Sequence, residues 1–174
     1  MQVIQNAASS FAEHPWYGVR TKSNHEKVAS TVLKGKGYQQ YLPVYRSRKR
    51  WSDRVVETEL PLFPGYVFCR FDPKERLPVI TTPGVVSIVG FGNDPAPIAD
   101  SEIQAVQGIL ASGLSAQPCG FLREGQRIRV IRGSLEGLEG ILLKKKNEWR
   151  MVVSISMLQR SISVEIDREW ITTL

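Results

Sequence analysis

The sequence predicts an α+β protein: a mainly antiparallel sheet with packed helices, followed by a small all-β barrel of SH3-like dimensions. Three observations predict it. Up to residue 113, short strand-like runs mix with helical stretches, without the strand–helix crossover rhythm of a parallel sheet. Residues 114–120 carry no charge. Beyond them, the periodic segments alternate with period two. The 174 residues have room for one ordinary domain or two small ones. The expected division is a loose tail at 1–14, a first domain at 15–113, a linker at 114–120 and a second domain at 121–174.

Each element follows from local chemistry. Trp16–Lys22 is aromatic and β-branched, hence a strand. Asn24 is the expected N-cap of a helix over 25–36, with Val28, Val32 and Leu33 at helical spacing and Gly35 and Gly37 as its stop. Tyr38–Tyr45 returns to strand character. Arg46–Arg54 is a basic stretch of net +4 around Trp51, and Val55–Glu59 resumes as strand. Tyr66–Phe71 is the most apolar strand of the first half. Asp72-Pro73 opens a short helix that Pro78 interrupts. Val85–Val89 is a strand, 90–97 a Gly/Pro-rich loop, and Asp100 caps a helix with Ile103, Val106 and Leu110 on one face. Five strands are expected after the linker, the last at Trp170-Ile171.

Composition excludes several classes. Apolar residues make up 42% and charged residues 23%, which rules out a disordered or collagen-like chain. No apolar run spans a bilayer and the first residues lack a signal-peptide pattern, so the expected location is the cytoplasm with no membrane partner. Cys69, Cys119, His14 and His25 are the only cysteines and histidines, too few for a Cys/His metal centre, and no cofactor is expected. Neither GxSxG, HExxH nor a phosphate-cradling glycine loop occurs, which argues against an enzyme. The net charge of +6 points to a polyanionic neighbour, and residues 1–113 and 121–174 each contribute +3.

The motifs WYGVRTK, HEKVA, YLPVY, LFPGYVF and TTPGVVSIVGFG, in this order, resemble the N-terminal domain of the NusG family of transcription elongation factors. EGQRIRVIRGSLEGLEGIL, from Glu124, followed by VVSISMLQRSISVEID, resembles the KOW domain that follows it in that family. RKRWSDR before ELPLFPGYVF resembles the operon-dedicated UpxY-like and RfaH-like antiterminators. The resemblance implies a factor that binds the β′ clamp helices of RNA polymerase, suppresses pausing or termination, and recruits a partner through its KOW domain. The alternative is a KOW-containing ribosomal or RNA-binding protein that does not act on polymerase; it leaves LFPGY unexplained.

The resemblance also assigns residues. Trp16, Arg20, Phe63, Tyr66 and Phe68 match the polymerase-binding patch, with Tyr66 and Phe68 expected on the accessible strand face and Val67 and Cys69 in the core. Lys22, His25 and Lys27 match the edge that touches non-template DNA in RfaH-like relatives. Arg46, Arg48, Lys49, Arg50, Trp51 and Arg54 are expected on non-template DNA or nascent RNA, with Trp51 stacking on a base; the alternative is a solvated hairpin tip. Leu77–Thr82 matches the region that bridges to the β subunit. Met157, Leu158, Gln159 and Arg160 match the KOW recruiting loop, where relatives carry a Phe-Gly pair that binds ribosomal protein S10 or Rho. Leu158 and Gln159 replace that pair, which weighs against Rho. Gly133, Gly137 and Gly140 are expected to serve the turn between the first two barrel strands. Val152, Val153, Ile162, Val164 and Ile166 favour strands over a helical refolding of this half.

Overall fold

A computed structural model describes residues 13–122, 125–145 and 147–174. The tail expected at 1–14 falls largely outside them, as do Glu124 and Lys146. The architecture is α+β with antiparallel strand pairing throughout the described sheets. The chain falls into two compact units. The first takes in the chain up to Leu42 and Phe63–Asp100; the second takes in Pro43–Leu62 and Ser101–Leu174. The composition-based boundary at 114–120 is thus not where the chain divides by contact, since residues 43–62 and 101–113 group with the second unit.

The first unit is built on strands β1 (Trp16–Thr21), β2 (Gln39–Tyr41), β5 (Tyr66–Arg70) and β6 (Val85–Ile88), ordered β2-β5-β1-β6. Between β2 and β5 in the sequence come β3 (Val44–Arg50) and β4 (Val55–Pro61), a hairpin of the second unit. The segment expected as a loop at 90–97 holds a minimal ladder, β7 (Gly90–Phe91) with β8 (Asp94–Pro95), and leads into β9 (Pro97–Ile98), which pairs with β1. Helix α1 (Glu26–Gly35) packs on one sheet face, where Tyr17, Val19, Ala29, Leu33, Val67, Cys69, Phe71 and Val79 form the core. A single helical turn, α2 (Leu77–Ile80), starts at Pro78's tolerated first-turn position. Before it, Asp72 accepts the Lys74 N–H at 2.8 Å and caps the expected short turn.

Two helix expectations are corrected. Asn24 does not cap α1: it sits at φ +63°, and His25 occupies the cap position without a side-chain bond. The buried stripe is Glu26, Ala29, Ser30 and Leu33, while Val28 is 48% exposed. The stripe keeps its i, i+3, i+4, i+7 spacing but starts from a carboxylate, because Glu26 finds a backbone donor inside. In the second unit, helix α3 (Asp100–Ala111) buries Ile103, Val106 and Ile109, with Leu110 less covered than Ile109.

The second unit's main sheet has six strands: β10 (Ala116–Cys119), β11 (Arg127–Val130), β12 (Glu139–Lys145), β13 (Glu148–Ile155), β14 (Arg160–Glu165) and β15 (Ile171–Thr173). Their order is β10-β14-β13-β12-β11-β15. The five expected strands are present, and a sixth lies in the expected linker. The absence of charge made 114–120 read as a linker, but β10 is an edge strand, where Pro118 costs no ladder bond it could have donated. The sheet buries Ile128, Val130, Met151, Val152, Ile155, Ile162 and Val164, together with the polar Arg150, Ser161 and Ser163, of which Arg150 donates to the Ser163 hydroxyl at 3.1 Å. Gly133 and Gly137 adopt φ near +87° and +85° between β11 and β12. Gly140 serves differently: it lies in β12, where an added Cβ would stand 2.7 Å from the Val152 carbonyl oxygen. No helix among the described residues is long and apolar enough to cross a membrane.

Candidate nucleic-acid and protein interface

Four of the sequence motifs meet at one end of the first sheet. The last residues of β1 are braced by two glycine turns: the Thr21 N–H donates to the Gly65 carbonyl and the Lys22 N–H to the Gly84 carbonyl, each at 2.8 Å. Gly65 (φ +84°) belongs to LFPGY and Gly84 (φ +86°) to TTPGVV. Left-handed backbone of this kind suits glycine, which has no Cβ to clash. The Gly65 N–H donates to the Glu26 Oε1 at 2.8 Å, tying in the first turn of α1. His25 packs over Gly84, where an added Cβ would stand 2.9 Å from the histidine Cβ. The His25 ring Nδ1 lies 2.9 Å from the Ser23 carbonyl.

This bracing fixes what stands outside it. Arg20, Lys22, His25 and Lys27 are exposed, and Tyr66, opposite Arg20 in the β1–β5 register, is half-buried. The structure therefore brings Arg20 and Tyr66 of the expected polymerase patch together with Lys22, His25 and Lys27 of the expected DNA edge.

The other three members of that patch are corrected to core. Trp16 is 3% exposed, Phe63 1% and Phe68 0%. Alternation along β5 is as expected, with Val67 and Cys69 in the α1-side core. The opposite face, however, is also covered around Phe68. The Phe63 ring meets Phe68 edge-on at 5.4 Å between centroids, and Tyr41 stacks on it at 6.3 Å. Burial drives the Tyr41 phenol up to about 12. Trp16 is capped by the Arg70 guanidinium, 4.8 Å from its ring. Arg70 also donates to the His14 carbonyl at 2.8 Å and to the Asp100 carboxylate at 3.2 Å.

The basic stretch is a β-hairpin. Arg46, Arg48 and Arg50 alternate onto one face of β3, opposite Glu59, Glu57 and Val55. Arg48 and Glu57 form an exposed ion pair at 3.5 Å. The whole hairpin, 44–61, carries five basic and three acidic residues, so the +4 of Arg46–Arg54 falls to +2 once its partner strand is counted. Trp51 stands at the tip, 62% exposed, in a turn closed by its N–H on the Arg54 carbonyl at 2.8 Å. Lys49, Arg50 and Arg54 are exposed around it.

The expected recruiting loop is a 3-10 turn at Ser156–Leu158. Leu158 is buried, which corrects it as a contact residue. Met157 is half-buried, while Gln159 and Arg160 are exposed. Gln159 adopts φ +52°, a conformation in which glycine is unstrained. Leu77, Ile80, Val86 and Phe91 form exposed apolar positions in the first unit. Sequence reading missed Glu26, Gly65 and Gly84 as organisers; the repeated Pro-Gly pairs 64–65 and 83–84 were the available signal.

Comparisons with known proteins agree with this arrangement of motifs. The family model described as "Transcription termination factor nusG" matches residues 14–107. The transcription termination/antitermination protein NusG of Thermus thermophilus is 29% identical over 175 residues, covering 87% of this chain and 94% of that protein. Its namesake in Escherichia coli K12 is 27% identical over 172 residues, with 87% and 92% covered. Among solved structures, Thermotoga maritima NusG superimposes with a TM-score of 0.57 at 20% identity, covering 94% of this chain and 98% of that one, which speaks to the fold. With more than half of its length matched by the family model and its motifs gathered at one sheet end, this chain belongs to the NusG family.

Proposed function

We propose that this chain is a transcription elongation and antitermination factor of the operon-dedicated kind, working in the cytoplasm by binding alone. It docks on the β′ clamp helices of RNA polymerase through Arg20 and Tyr66. Lys22, His25, Lys27 and the basic hairpin lie along non-template DNA or nascent RNA. The observation that carries this reading is the convergence of WYGVRTK, HEKVA, LFPGY and TTPGVV around the Glu26–Gly65 bond, which leaves exposed basic residues beside a half-buried tyrosine. The names of the relatives support the transcriptional role. The hairpin with Trp51 at its tip supports nucleic acid, since an exposed indole among cations is a stacking platform. Recruitment through the KOW half falls to Met157, Gln159 and Arg160, with ribosomal protein S10 as the partner the resemblance suggests and Leu158 acting from inside.

The test is capture of the isolated β′ clamp helices. Wild type binds; Arg20→Glu/Tyr66→Ala does not, while its melting temperature is retained, because neither side chain is buried. Full binding by that variant rejects the face. On paused templates, saturating protein shortens the pause; an unchanged lifetime rejects the elongation role. A ribosomal protein would instead co-sediment with ribosomal subunits.

A further inference from the structure

The β12–β13 hairpin carries an indole with two cations gathered on it. Lys144 and Trp149 stand opposite one another in the strand register, with the lysine Nζ 5.0 Å from the ring centroid. Arg168, from the turn after β14, brings its Cζ to 5.5 Å from the same ring. Both distances fall within the roughly 6 Å reach of a cation–π contact. Two like charges converging on one ring repel each other, and the acids beside them face other groups. Glu148 accepts from Arg150 at 3.3 Å, and Asp167 accepts the Glu169 N–H at 3.0 Å. Among the described residues, no ion pair joins Lys144 or Arg168 to a carboxylate. Lys144 and Arg168 are exposed and Trp149 is half-buried, so the ring is anchored while the cations are free to swing. In the sequence, Lys144 also opens a run of three lysines.

We propose that Lys144, Trp149 and Arg168 form a binding site for single-stranded nucleic acid, in which phosphodiesters draw the two cations off the indole and a base stacks in their place. The exchange is favourable on both sides: phosphate relieves the repulsion between the cations, and every base offers a π-face to the ring. The site uses none of the residues assigned above to polymerase or to the basic hairpin.

The test is fluorescence anisotropy of the full chain with labelled oligo-rU and oligo-dT across a salt series. Lys144→Gln/Arg168→Gln is expected to weaken binding and to flatten the salt slope by about 1.4, at about 0.7 for each phosphate contact on a single strand. Trp149→Leu is expected to weaken it about fivefold or more, and Trp149→Phe to retain most of the affinity, as stacking requires. Loss on oligo-rU alone identifies RNA, and loss on oligo-dT alone identifies DNA; either supports the site. Unchanged affinity and salt slope in the charge variant overturn it. Displacement of the oligonucleotide by an acidic peptide of equal charge, with no effect of Trp149→Leu, also overturns it and assigns the patch to an acidic protein. Clamp-helix capture by the same variants stays at the wild-type level, so failure here and failure of the proposed function are told apart.

Discussion

The Glu26 carboxylate accepts the Gly65 backbone N–H at 2.8 Å, joining the first turn of α1 to the glycine turn that opens β5. Glu26 is 5% exposed and Gly65 half-buried, so removing the carboxylate leaves the Gly65 N–H without its partner in a part-buried position. Glu26→Ala is expected to cost about 1–3 kcal/mol of stability. Glu26→Gln keeps an acceptor and is expected to cost less. Urea unfolding midpoints check the order. Because the bond braces the end of β1, Glu26→Ala should also weaken clamp-helix capture more than Glu26→Gln does.

Gly140 sets the spacing of β12 and β13. A Cβ there would meet the Met151 Cγ at 2.6 Å and the Val152 carbonyl oxygen at 2.7 Å. The methionine can move; the carbonyl is held in the sheet. Gly140→Ala is therefore expected to destabilise by about 1–3 kcal/mol through overpacking. Met151→Ala in the same chain should not restore it. Gly137→Ala has open space around its Cβ but a φ of +85°, and is expected to cost about 1–2 kcal/mol from backbone strain alone. Thermal denaturation of the three variants separates clash from strain.

Much of this fold was legible because period-two and helical patterns sit where burial later places them. Val67 and Cys69 point to the core as alternation along β5 requires, and Ile162 and Val164 do so along β14. What failed was the inference from a residue's type to its exposure. Aromatics at Trp16, Phe63 and Phe68 matched a binding patch by motif, yet cover one another or are capped by Arg70, so alternation gave the face without telling whether that face was free. The charge of Arg46–Arg54 was real but incomplete, since Glu57 and Glu59 join it only through strand register. The role of Glu26 is not legible in the sequence, because its partner is a backbone N–H 39 positions away, which no local pattern encodes.

Gln159 holds a left-handed backbone at φ +52° in the turn before β14 and donates from Nε2 to the Ser156 carbonyl at 2.9 Å. Gln159→Gly exchanges that bond for relief of strain and is expected to change stability by less than about 1 kcal/mol. Gln159→Val puts a β-branched side chain at positive φ and is expected to cost about 1–2 kcal/mol. Equal melting temperatures for the two variants would refute the role of backbone strain. If the exposed side chain also serves recruitment, Gln159→Gly should alter S10 capture while leaving the melt in place.

Alkaline pH should expose the burial of Cys69 and Tyr41. Burial raises both protons' hold in the folded state: the Cys69 thiol and the Tyr41 phenol are each pushed up to about 12. Their ordinary values are 9.0 and 10.0, so the unfolded chain releases these protons first. Between those values and about 12 the folded state binds more protons than the unfolded state, and stability falls as pH rises. Well below pH 9.0, where the unfolded thiol and phenol also keep their protons, neither group contributes any slope. Denaturant midpoints measured from neutral pH upward should hold level and then decline. Tyr41→Phe removes one of the two protons and should flatten the decline above pH 10.0, at the stacking distance Tyr41 keeps from Phe68. Cys69→Ala should delay its onset while lowering stability at every pH, because the thiol fills fully buried space. A decline that is identical in all three proteins would place the alkaline sensitivity elsewhere in the chain.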